Sequence, residues 1–394
     1  PNAYPVLSVY EAGDGWWVVA DHTLGDAVYS ESAFFEVTLR APEDLIVVAS
    51  GTEVSVRTGE DGLLVHEYVA PLMRDFAIMA APHYVTQTGT VDGVAITLYY
   101  DPARPDAEAI AAGGLRAAQA AVGLFNSLFG AYPFAELDIV QTPTSAGGIE
   151  YPGLIVIGDD AWDENADRFI FVLVHEIAHQ WWYSLVGNDQ VGQPWLDESL
   201  TSYSEYVYTR DVYDDKRAKE QQDGDRDWYN FYRGQGAPDL VLDLPVAAYV
   251  DNNYSTIIYV KGPLFFAELE TLLGRDRFLA ALQLYFERHR YEIVRSVDVL
   301  TAFEDATGEE FPINNVINVN FGGFRRALDI FHNFGRGCAR IGVHARQPGI
   351  QRALGQCFVS QRNKFRHRGE SPFKIQIDIR KAEPVDWMSL LVSN

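Results

Sequence analysis

The sequence predicts an α+β chain, and three observations carry the prediction. Short runs of β-branched and aromatic residues fill the first part, longer stretches with apolar residues at helical spacing fill the second, and neither an internal repeat nor a low-complexity tract interrupts them. Within residues 1–88, Ala33 to Arg40, Leu45 to Ala49 and Leu63 to Ala70 read as strands separated by Gly, Asp and Pro turns at hairpin-like spacing. Val94 to Tyr100 reads as another strand. Pro105 and Asp106 then open an Ala-rich helix closed by Gly130, and Leu137 to Val140 forms a further strand candidate. Beyond the segment SAGGIEYPGLIVIG, helices are expected from Arg168 to about Leu185, Asp197 to about Tyr213, Thr256 to Leu273, Arg277 to Arg288 and Ser296 to Thr307. The expected organisation is a β domain over 1–88, a mixed domain over 89–312 and a tail over 313–394.

Composition narrows the function. Hydrophobic residues make up 47% and charged residues 22% of 394, which excludes wholesale disorder and allows two to three domains. With 31 basic against 55 acidic residues, the net charge of −24 repels phosphate backbones, so nucleic acid is not an expected partner and anionic membranes are disfavoured. No run of eighteen apolar residues occurs, so no transmembrane segment is expected. Two cysteines cannot build a disulfide framework. The chain begins at Pro1 with no charged-then-apolar leader, which fits either a removed signal segment or an N-terminus cut away. His22, His66 and His83 lie far apart and read as structural or solvated.

The charge is not uniform. Residues 313–394 hold 13 basic and 5 acidic residues, net +8, whereas residues 1–312 hold 18 basic and 50 acidic, net −32. Both cysteines, Cys338 and Cys357, and none of the 21 tyrosines fall in this tail. A shifted reading frame or a foreign fusion would produce such a break, and translating the nucleotide sequence in the other frames tests it.

Chemistry concentrates in FVLVHEIAHQWW. His175 and His179 are four apart, so on a helix both imidazoles leave one face and can share a metal. Glu176 reaches the same cavity without being a ligand. Glu198 follows His179 by nineteen residues, and Gly187, Asn188, Gly192 and Pro194 between them supply the turn chemistry that brings the chain back. Two histidines and one glutamate are the ligand set of catalytic zinc sites with an open position, so one Zn²⁺ per chain is expected. Glu205, seven residues beyond Glu198 on the same helix face, suits a carboxylate that orients a ligand histidine. Glu150 follows the paired glycines Gly147 and Gly148, where backbone can approach a ligand closely.

These residues resemble the zinc aminopeptidases of the aminopeptidase N type, gluzincins with a thermolysin-like catalytic domain. HEIAHQWW with the later WLDES carries the resemblance. Gly147-Gly148-Ile149-Glu150-Tyr151 is similar to the family's G-[AG]-M-E-N motif, with Ile for Met and Tyr for Asn. Tyr254 to Gly262 resembles its Y-x-x-x-x-Y-x-K-G segment. The resemblance implies a partial N-terminal β domain over 1–88, a thermolysin-like peptidase domain over 89–312 and no large helical C-terminal domain, with a tail unlike the family. It also implies roles: Glu176 as general base, Tyr259 as oxyanion donor, Glu150 as ligand of the substrate α-amine, and backbone at Gly147 and Gly148 along the substrate. Peptides with free N-termini are the implied partners. Abbreviated relatives with G-G-x-E-Y-P look like exported or surface-attached bacterial enzymes, with a cytoplasmic location left open.

Blander readings stand beside these. Tyr259 could be an amphipathic core tyrosine and Glu150 a solvated edge-strand carboxylate. Tyr254 is balanced between site wall and packing, and Asp197 reads as a helix-start charge. Trp181 and Trp182 read as core, and Lys261 as packed or paired. A thermolysin-like zinc endopeptidase would need the metal set but not Glu150, and a non-catalytic scaffold would need neither Glu176 nor Tyr259.

Overall fold

The first elements are two short strands, β1 (Tyr10–Glu11) and β2 (Gly15–Trp16), in a computed structural model that describes residues 4, 6–11, 13, 15–18, 25, 28–144, 146–162, 166–249, 253–308 and 373–378. β3 (Ala33–Ala41) alternates buried and partly exposed residues and pairs antiparallel with β6 (Leu64–Met73), Val37 opposite Tyr68. β5 (Thr52–Thr58) lies on the far side of β6, while β4 (Ile46–Ala49) and β7 (Ile78–Ala81) form their own pair. The acidic β region thus puts β6 between β3 and β5 in one sheet, with β4 and β7 in a second. His66 of β6 meets Glu53 at 2.6 Å and His83 lies 3.7 Å from Asp101, both away from the histidine pair, whereas His22 lies outside the described residues.

A second, five-stranded sheet begins at β8 (Val85–Val91), a strand that spans position 88. β8 pairs antiparallel with β9 (Val94–Tyr100), and β10 (Glu136–Thr142) runs parallel to both β9 and β12 (Leu154–Gly158). β11 (Gly148–Ile149) closes the other edge antiparallel to β12. β12, sequence LIVIG, is buried throughout because sheet neighbours and helices cover both its faces.

Helix α1 (Ala107–Leu128) packs its Ala111, Ala118, Val122 and Phe125 stripe against this sheet and against α2 (Ala166–Ala178). The approach is close: a Cβ at Gly114 would overlap Phe169 and Leu98. After α2 the chain widens into π-type turns over Gln180–Leu185, with Tyr183 held at φ 153°. Arg74, buried at the end of β6, fixes that turn. Its guanidinium donates to the carbonyls of Tyr183 (3.1 Å), Ser30 (2.7 Å) and Glu292 (3.0 Å). The short strand β13 (Gly187–Asn188) pairs with β14 (Ile293–Val294).

The helix-rich block then runs through α3 (Glu198–Tyr208), a π turn at Thr209–Tyr213, and α4 (Asp215–Gly234), capped by the Asp214 side chain on Arg217 N (2.8 Å). After α5 (Asn253–Ser255) comes a π segment, Thr256–Lys261, then α6 (Gly262–Leu273), α7 (Arg275–His289) and α8 (Ser296–Thr307). Trp181 and Trp182 are core, as expected, and their indoles donate to Gly130 O and Ser204 Oγ. No helix among the described residues is long and apolar enough to cross a membrane. Most of the basic tail, including Cys338 and Cys357, lies outside the described residues. Its described part is β15 (Phe373–Asp378), which pairs parallel with the outer edge of β3, Lys374 reaching Glu36 at 2.9 Å.

Several elements depart from expectation. Among them, α4 and strands β5, β7 and β8 are absent from the sequence reading, and the helix expected through Leu185 ends at Ala178, where the backbone of Trp182 and Tyr183 leaves helical angles.

Candidate metal centre

The centre is built from two helices and a sheet edge. α2 carries His175 and His179 on one face, and α3 brings Glu198 across them. His175 Nε2, His179 Nε2 and Glu198 Oε2 form a triangle whose three sides are each 3.2 Å. A tetrahedral zinc with ligands at ~2.0–2.1 Å has ligand-to-ligand edges of about 3.3–3.4 Å.

The far ring nitrogens settle which atoms face the triangle. His175 Nδ1 lies 2.6 Å from Glu205 Oε1, and His179 Nδ1 lies 3.1 Å from the Trp182 carbonyl. Neither an ionised carboxylate nor a carbonyl can donate, so each Nδ1 carries a proton and each Nε2 faces the triangle. Two imidazole nitrogens and a carboxylate oxygen converge there, an arrangement that positive charge, from protons or from a metal ion, relieves. The residues present fit a metal ion.

Charge points the same way. Burial opposes protonation of both imidazoles, yet the surrounding carboxylates outweigh it: His175 is raised well above its usual range and His179 to about 10. Burial raises Glu198 too, but the two imidazoles overcome it and hold the carboxyl well below its usual range. Burial lifts Glu176 to about 8 and Glu205 to about 7, and burial together with Glu198 lifts Asp197 to about 7. Among the described residues, no lysine or arginine pairs with Glu150, Glu176, Asp197, Glu198 or Glu205.

The remaining expected residues gather around this centre. Gly148, on edge strand β11, faces Glu176 so closely that a Cβ would overlap its side chain and push the carboxylate aside. Gly147 O accepts from Gly158 N at 2.9 Å and its own surroundings are open, Val172 being the nearest side chain. Glu150 is buried, 5% exposed, which removes the solvated-carboxylate reading. Tyr259, in the π segment before α6, stacks its ring on His175 at 5.9 Å. Tyr254 is buried and meets Tyr259 and Tyr249 edge-on. Lys261 turns away from the centre to pair with Asp239 at 2.7 Å.

Several neighbours were not legible as site residues. Asp197, read as a helix-start charge, makes no capping bond. Its carboxylate is buried and accepts from Asn188 Nδ2 and Gln190 Nε2, both at 2.9 Å, and the same Gln190 amide reaches Glu150 Oε1 at 2.9 Å. Asn188 and Gln190 lie in the stretch that reads as turn chemistry, which is why composition hides them. Behind Glu205, a cavity of about 260 Å³ opens between α2, α3 and α4, lined by Ile170, Phe171, Val174, Tyr208 and Arg217.

A sequence model of the Peptidase family M1 domain matches residues 115–320. Aminopeptidase M1 of Arabidopsis thaliana is 25% identical over 299 residues, covering 73% of this chain and 33% of that protein. Aminopeptidase N of Streptomyces lividans is 26% identical over 306 residues, 71% of this chain and 34% of its own. Glutamyl aminopeptidase of Bos taurus is 24% identical over 242 residues, 57% of this chain and 24% of its own. The chain spans about a third of the length of the first two of these relatives.

Proposed function

The chain belongs to peptidase family M1, and from that premise we propose that it is a zinc-dependent aminopeptidase that hydrolyses the N-terminal bond of peptides. One observation carries the reading: two imidazole nitrogens and a carboxylate oxygen meet on a 3.2 Å triangle beside a buried carboxylate, Glu150, that no fixed cation neutralises. The triangle calls for a metal, and the second carboxylate calls for a cationic group on the substrate.

His175, His179 and Glu198 would hold the zinc, with Glu205 and the Trp182 carbonyl fixing the two rings. When bound, zinc supplies Lewis acidity, polarising a carbonyl oxygen and making a water acidic near neutral pH. Glu176 takes the proton from the attacking water and later passes it to the leaving amine, a role supported by its burial and its place beside His175. Tyr259 donates to the developing oxyanion, a contact worth roughly 3–4 kcal/mol in comparable sites. Glu150 accepts a charged hydrogen bond from the substrate α-ammonium and so fixes cleavage one residue in. Backbone of Gly147 and Gly148 on the open edge of β11 lies along the substrate, and Tyr254 walls the site behind Tyr259. The same reading places the enzyme outside the cytoplasm of a bacterium, on resemblance alone.

A panel of aminoacyl-fluorophore substrates tests this, run with and without chelator and alongside N-acetylated counterparts. Loss of turnover on chelation and on acetylation is the expected result. Equal turnover of acetylated peptides would replace the aminopeptidase reading with an endopeptidase one, and no turnover with stoichiometric zinc would favour a scaffold.

A further inference from the structure

The buried amide between Glu150 and Asp197 has a role that the motifs do not assign. Gln190 is 2% exposed, and its single NH₂ group donates one hydrogen to Glu150 Oε1 and the other to Asp197 Oδ2, each at 2.9 Å. Asp197 is held in turn by Asn188 Nδ2 at 2.9 Å. Both donor hydrogens of Gln190 are therefore spent on carboxylates. Its carbonyl oxygen, Oε1, is buried with no hydrogen-bond partner, and so is Asn188 Oδ1. Both oxygens are closed off from solvent, so what Gln190 brings to the site is its pair of N–H donors, one of which fixes the Glu150 carboxylate.

We propose that Gln190 is the positioning residue that makes Glu150 a reader of free N-termini, its one N–H holding the carboxylate in the orientation that meets the substrate α-ammonium, with Asp197 and Asn188 as the buttress that keeps the amide turned that way. An amide suits this place better than a third carboxylate would, because its two N–H groups hold both anions without adding a charge. This inference rests on the aminopeptidase reading above.

The test is a double-mutant cycle of Gln190→Met with Glu150→Ala, followed by KM, kcat, bound zinc and thermal shift. The ligand probes are L-leucinamide and its des-amino counterpart 4-methylpentanamide. Gln190→Met should raise KM for free-amine substrates by roughly 10-fold, change kcat far less and leave zinc stoichiometry intact. It should also abolish the extra thermal shift that L-leucinamide gives over 4-methylpentanamide. In the Glu150→Ala background the same substitution should add almost nothing, because its effect passes through Glu150. If Gln190→Met does not fold, Gln190→Leu, which also lacks both donors and adds no charge, carries the same expectation.

The outcomes separate the two layers of the proposal. A raised KM in Glu150→Ala with an unchanged KM in both Gln190 variants overturns the role of Gln190 alone. An unchanged KM in Glu150→Ala overturns the amine reading and the inference with it. A parallel fall in zinc content, stability and kcat in the Gln190 variants would mark a merely structural residue and also overturn the proposal.

Discussion

Two acidic clusters lie within the helix-rich half, and they are neutralised in opposite ways. On one side, Arg210 reaches both oxygens of Glu270 (2.9 and 3.0 Å), and Lys261, 3% exposed at the side chain, pairs with Asp239 at 2.7 Å. Each buried carboxylate there meets a cation supplied by the fold. Around the histidines, five carboxylates meet only imidazoles and amides. The fold completes the first kind of charge balance itself and leaves the second to whatever binds. That contrast separates structural charge from functional charge without reference to any motif.

The largest effect should come from breaking a completed pair. Lys261→Met leaves the mostly buried Asp239 without its cation, with Tyr229 still donating to it, and should cost about 2–4 kcal/mol of unfolding free energy in denaturant titrations. Replacing both partners with apolar residues should recover most of the loss; a single variant as stable as the wild type would dissolve the distinction between the clusters. Next, Glu176→Gln removes the proposed base and spares the ligands. It should lower kcat by at least ~10²-fold with zinc still bound at one per chain, and retained turnover would remove Glu176 from the chemistry.

Glu150→Gln should act in the opposite sense to Lys261→Met. Relieving an uncompensated charge, it should stabilise the metal-free protein by ~0.5–1 kcal/mol while weakening the use of free-amine substrates. A destabilised apoprotein would show that this cluster is balanced internally after all. The smallest effect concerns β10, where burial and then Glu136 push the Asp138 carboxyl up to about 8. The folded state favours its protonated form, so the stability it contributes is complete at acid pH, below its usual range near 4, and is lost as pH rises through about 8. Asp138→Asn should therefore raise Tm at pH 9 and hardly change it at pH 4; an equal shift at both would remove titration as the cause.

What the sequence made legible follows from periodicity. The four-residue step between His175 and His179 survives folding because a helix converts it directly into one face, and β9 alternates as sharply in space as in sequence. α4 was missed because it buries only Ala218 and Tyr229 among twenty residues, leaving no apolar stripe to detect. β5 and β8 were missed because TEVSVRT and VTQTGTV lie at sheet edges with little buried. Asn188, Gln190 and Asp197 were opaque for another reason. Their meaning lies in hydrogen bonds to one another and, through Gln190, to Glu150 forty residues away, and no local pattern encodes a partner that distant.

Arg74 sets a limit on how the protein can be cut. The match to the M1 domain begins at residue 115, and a designer seeking a minimal catalytic module would be tempted to start near there. The guanidinium from β6, however, plugs the turn that carries Tyr183, one peptide away from the carbonyl that fixes the His179 ring. Excision of the β region would leave the Tyr183 and Glu292 carbonyls without their donor and free the loop behind a ligand histidine. The smallest piece that retains the centre thus includes a strand that contributes nothing to the chemistry, and modularity in this molecule ends where its loops are tied down rather than where its motifs start.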